Sequence, residues 1–151
     1  MEVKKQPRLG FLGFDILRVD FKSIAPLNDD AETEMSVTAK VFYPENSEAN
    51  FSILMNVEIS FEESFNLSVQ GVGNFVVRGE EIDSEIRGGF VNANAPAIIF
   101  PYMRAFIATL TANCGKSTSL LTIPTQFFKG DLEEYISPNI QKQIPFEDEE
   151  E

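Results

Sequence analysis

From Phe51 to Glu62 the residue type alternates at every step: Phe51, Ile53, Met55, Val57, Ile59 and Phe61 are apolar, while the positions between them are mostly polar. Successive side chains of an extended chain point to opposite faces, so period two sustained over a dozen residues specifies a half-buried β-strand. Glu62-Glu63-Ser64 makes a polar turn. The pattern then resumes with Phe65, Leu67 and Val69, and again with Phe75 and Val77. Two such runs joined by so short a turn predict a long antiparallel hairpin. Gly71 and Gly73 interrupt the second run and mark a bend or a close backbone approach.

Two earlier segments read as strands. Phe14 to Ile24 sets Leu17, Val19 and Phe21 against Arg18, Asp20 and Lys22. Phe14 and Ile16 have the opposite parity, which predicts a bulge or a change of partner face. Met35 to Tyr43 sets Val37, Ala39 and Val41 against Ser36, Thr38 and Lys40. Residues 25–32 supply turn residues and acids between them. The four strands would form one antiparallel sheet.

The second half changes period. Glu80 to Arg87 reads as a short helix stopped by Gly88-Gly89. Asn94 is placed to cap a longer helix, with Pro96 in its first turn, running to Ala112 before Asn113-Cys114-Gly115. Pro101 should kink or delay it. Ile99, Phe106, Ile107 and Leu110 recur at helical spacing, and residues 95–112 are apolar nearly all round. A helix of that kind is covered on more than one side. In a small one-sheet domain the second cover is another subunit, so these four residues read as core or subunit interface. Gly130 to Ile136 opens a further helix ended or bent by Pro138. Residues 1–140 then make a single domain, and 141–151 an acidic, disordered tail.

Composition narrows the function. Twelve basic against 24 acidic residues give a net charge of −12. That balance disfavours a nucleic-acid partner. The charge also keeps a chain with 14 Phe and no Trp in solution. There is no His, and Cys114 is the one Cys. Ser-His-Asp and Cys-His nucleophiles, histidine metal sites and thiolate zinc cages are therefore all missing. Gly115-Lys116-Ser117 has Leu110 where a phosphate loop needs its first Gly, and Gly71-Val72-Gly73 lacks the third Gly of a dinucleotide fingerprint. No carboxylate pair is organised for catalysis. The sequence predicts neither an enzyme nor a cofactor. No apolar run is long enough to cross a bilayer, and no apolar stretch comes after the basic first residues, which predicts a cytoplasmic protein without membrane insertion.

One segment is specific. Asn94 to Arg104, Asn-Ala-Pro-Ala-Ile-Ile-Phe-Pro-Tyr-Met-Arg, resembles the Pro-x-Ile-Leu-Phe-Pro-Tyr-Ala-Arg helix entry of the SecB protein-export chaperones, with Pro96, Ile98, Phe100, Pro101, Tyr102 and Arg104 in place. Residues 121–128 are similar to the family's Leu-Asn-Leu-Ala-Pro-Val-Asn-Phe connection, and Val19 to Pro26 to its first-strand ending. Ser64 to Gly71 lines up with its Phe-rich fourth strand.

The resemblance implies an α+β fold: a four-stranded antiparallel sheet with one long and one shorter helix, assembled as a homotetramer, a dimer of dimers. It implies an ATP-independent holdase that takes unfolded or nascent polypeptides into apolar grooves and passes export precursors to the SecA motor. Val37, Ala39 and Val41, with Leu132, Ile136 and Ile140, would line a client groove, or simply pack as core. Asp20 would be the surviving acid of the motor-docking surface, since Ile24 and Ser68 stand where two others would be. A dedicated adaptor for one partner, such as an antitoxin, is the alternative function, and a small-molecule-binding domain a third.

Overall fold

The alternating segments form the expected strands. The computed structural model describes residues 6–24, 33–61, 64–115, 123 and 130–135. They hold β1 (Arg8–Ser23), β2 (Thr33–Phe42), β3 (Asn50–Phe61) and β4 (Phe65–Arg78), then α1 (Ser84–Gly89), a π-helical turn (Phe90–Asn94), α2 (Ala95–Ala112) and β5 (Glu133–Glu134). The sheet order is β1-β4-β3-β2-β5. The first four strands pair antiparallel and β5 pairs parallel to β2, so the sheet is mixed and five-stranded.

β1 keeps its apolar residues on the helix side by bulging twice, between Phe11 and Gly13 and between Ile16 and Arg18. Each bulge reverses the parity, so Phe11, Phe14, Ile16 and Phe21 all join the same core. Gly13 takes φ 138° at the first bulge, a conformation costly for any residue with a Cβ.

One continuous helix of 29 residues, Ser84–Ala112, replaces the two expected helices. Its cap is Asp83, whose Oδ1 accepts from the Ile86 N–H at 2.8 Å; Asn94 lies inside the helix and makes no side-chain cap. Gly88 and Gly89 do not stop it: Ser84–Gly89 has no buried residue, and the turn that follows packs Phe90 and Val91 on the core, which outweighs the modest penalty of the two glycines. Pro101 sits on the exposed side, where solvent replaces the hydrogen bond it removes. By length and composition this helix is apolar enough to cross a membrane, contrary to the expectation from the sequence. Here Val91, Ala95, Ile99, Phe100, Met103 and Ile107 on it join the core formed with the sheet.

α2 lies close on β4. A Cβ on Gly73 would collide with Ile99, and one on Gly71 with Phe14 and Met103, so the two glycines serve a close approach. Beneath them Phe51 and Phe75 stack at 5.3 Å, with Phe11 5.4 Å from Phe75.

The expected helix from Gly130 is not found over its described part. Gly130 has φ 79°, and residues 131–135 contain β5 where helix was expected. Residues 136–140 and the tail lie outside the described residues.

Candidate functional site

Val37, Ala39 and Val41 alternate along β2 on the side facing the helix, opposite Val57, Met55 and Ile53 of β3. Val41 is 2% exposed and belongs to the core, whereas Val37 and Ala39 are half-buried at its margin. Leu132 packs against the same core cluster. The register of β5, Lys40 with Glu133 and Val41 with Glu134, sets Leu132 level with Ala39. The structure therefore brings four of the six expected groove residues together; Ile136 and Ile140 lie outside the described residues.

Among the described residues, a small set of groups holds β5 and its neighbours in place. The Tyr135 N–H donates to the Val41 carbonyl at 2.7 Å. Lys40 Nζ lies 3.8 Å from Glu133 Oε1, with Glu133 largely in solvent and Lys40 partly so. Asn92, in the π-helical turn, accepts from the Leu132 N–H at 2.9 Å and donates to Asp131 Oδ1 at 3.1 Å. Tyr135 reaches the other face of the sheet, against Phe42, Leu54 and Val72. Nearby, burial pushes the Tyr43 hydroxyl pKa up; Arg87 opposes the shift and Glu134 reinforces it.

Ile99 and Ile107 are fully enclosed by their own chain, while Phe106 and Leu110 are half-buried on the helix flank. Tyr102 is 51% exposed, its ring beside Phe11 and Phe14.

Asp20 stands on the opposite, polar face of the sheet. Register places it in a row with Ser68, Glu58 and Ser36. Together with Lys22 and Glu34 these residues line a shallow hollow of about 640 Å³. Arg18 Nε donates to Asp20 Oδ2 at 2.6 Å, so the acid faces a guanidinium already. Sequence reasoning missed Glu58 and Glu34: their parity is legible, but only strand order sets them beside Asp20. Asn92 carries no signal in the sequence at all, because its partners are 39 and 40 residues away.

This fold, a long α-helix packed across a sheet, is shared with a SecB-like chaperone. The protein is similar, at a TM-score of 0.65 and 13% identity over 79% of this chain and 91% of the other, to the Mycobacterium tuberculosis SecB-like chaperone Rv1957, solved with a ChAD peptide from the Rv1956 HigA1 antitoxin. Residues 14–128 match the family model of preprotein translocase subunit SecB, and the chain belongs to the SecB family. It is also 26% identical to the uncharacterized protein MJ0357 of Methanocaldococcus jannaschii, over 95% of this chain and 96% of that one.

Proposed function

We propose that this protein is an ATP-independent holdase that binds unfolded polypeptides along an apolar strip on β2. The strip is Val37 and Ala39, half-buried at the open margin of the core, with Leu132 seated beside it. One observation carries this reading. β2 presents apolar side chains near the sheet edge, with only the two residues of β5 paired to its outer side among the described residues. Unfolded chains expose apolar side chains, and burying them contributes about 25 cal/mol per Å², so short contacts hold weakly and several sites together hold well. Membership of the SecB family supports the reading. The protein would act without catalysis or cofactor, as a cytoplasmic homotetramer with Phe106 and Leu110 at a subunit contact.

The test is aggregation of an unrelated unfolded protein, followed by light scattering without ATP. Suppression at stoichiometric amounts is the expected result, and no suppression at any ratio overturns the reading. A second reading, a dedicated adaptor for one partner, is favoured by the antitoxin peptide bound to the M. tuberculosis chaperone. It predicts one dominant protein in a pull-down and no protection of unrelated chains. Handover to SecA would be weak, because Ile24 and Ser68 replace acids and Arg18 engages Asp20.

A further inference from the structure

We propose that residues 131–135 form a latch over the apolar strip and that Asn92 holds it shut; the inference rests on the holdase reading. Asn92 makes two hydrogen bonds to this segment, one to the backbone of Leu132 and one to the Asp131 carboxylate. The phase of α2 is set by Ile99 against Gly73 and Met103 against Gly71. A residue inserted in a helix rotates the preceding part by about 100° against the succeeding part, at about 3.6 residues per turn. The π-helical turn Phe90–Asn94 is such an insertion, and it presents Asn92 to the segment without disturbing the packed half of the helix.

The segment covers the outer edge of the strand beside it. Its Tyr135 N–H takes the Val41 carbonyl, and Val41 is enclosed although it belongs to a strand near the sheet edge. Leu132 and Tyr135, three residues apart, straddle that edge, one against each face. Beyond these anchors, the contacts among the described residues are one long ion pair between Lys40 and Glu133, and the Asn92 clamp. Short, poorly buried edge segments of this kind open locally far more readily than the core. An unfolded chain reaching the strip next to Val41 must displace the latch, so its apparent affinity is lowered by the fraction of time the latch is closed.

Lys40 and Glu133 are register partners on adjacent strands. Such partners stand about 4.8 Å apart, a separation that a disulfide spans. The experiment compares Lys40→Cys/Glu133→Cys in a Cys114→Ser background, oxidised and reduced, with wild type and Asn92→Ala. The probe is reduced, carboxymethylated α-lactalbumin, monitored by fluorescence anisotropy. The locked form should bind at least tenfold more weakly than the reduced form. Asn92→Ala should bind several-fold more tightly than wild type, with faster hydrogen exchange at the Tyr135 amide. If Asn92→Ala fails to fold, Asp131→Ala, which removes only the side-chain half of the clamp, reads the same step. Equal or tighter binding by the locked form overturns the latch and leaves the holdase reading standing. No binding by wild type, the reduced form or the clamp variant overturns both.

Discussion

Ile99 rests on the bare backbone of Gly73, and a single methyl group there would overlap its Cγ2 atom. This contact fixes the height of α2 above the sheet, because the obstructing atom belongs to a β-branched residue on the packed face of the helix. At Gly71 the obstructing atom is Phe14 Cζ, 2.5 Å from the position of a Cβ, at the far end of a rotatable ring. Gly73→Ala should therefore cost about 1–3 kcal/mol and Gly71→Ala less, as overpacking against a rigid neighbour is harder to relieve. Paired urea titrations check the order; equal losses would refute it.

On the other face, Ser52 Oγ donates to Asn74 Oδ1 at 2.6 Å, both residues being buried. Ser52→Ala removes the donor and strands a buried acceptor. The expected loss is about 1–3 kcal/mol in unfolding free energy, read by urea titration.

The strip and the core should separate under charge substitution. Val41→Asp places an unpaired carboxylate in the core and should lower the melting temperature by many degrees. Val37→Asp, at the half-buried margin, should fold and yet lose the capacity to suppress aggregation. A Val37→Asp protein that folds and holds clients as well as wild type would remove Val37 from the site.

Assembly should respond to salt. Each copy carries a net charge of −12, so four together carry about −48, and screening should tighten association. Phe106→Glu should weaken it by placing a carboxylate in the proposed subunit contact. Sedimentation velocity at low and high salt reads both effects, and a monomer at every concentration would exclude the tetramer.

The Arg18–Asp20 pair lies in solvent on both sides, 72% and 56% exposed. Asp20→Asn should change stability by less than about 1 kcal/mol, since exposed pairs contribute little. Micromolar or tighter SecA binding that Asp20→Arg abolishes would show that Asp20 serves such docking with Ile24 and Ser68 beside it.

The strands are legible in the sequence because their information is local: the parity of Phe51 to Phe61 fixes which side faces the core wherever the strand ends up. A bulge in β1 is legible for the same reason, as the apolar parity of Phe14 and Ile16 disagrees with that of Val19 and Phe21. Local propensity misplaces the helix boundaries at Gly88-Gly89 and at Asn94, where it gives way to the packing of Phe90, Val91, Ala95 and Ile99 on the sheet. The segment from Gly130 looks helical because Leu132, Ile136 and Ile140 stand four residues apart, a spacing that suits a helix face. Its pairing as a strand depends on Asn92 and Val41, distant partners that compensate the lost helical hydrogen bonds. Likewise, parity puts Asp20, Glu58 and Glu34 on polar faces, but only the order β1-β4-β3-β2 makes those faces one. Periodicity determines which way a side chain points, since that is a property of the chain's own geometry. Which groups meet is decided by long-range pairing, whose energy no stretch of neighbouring residues contains.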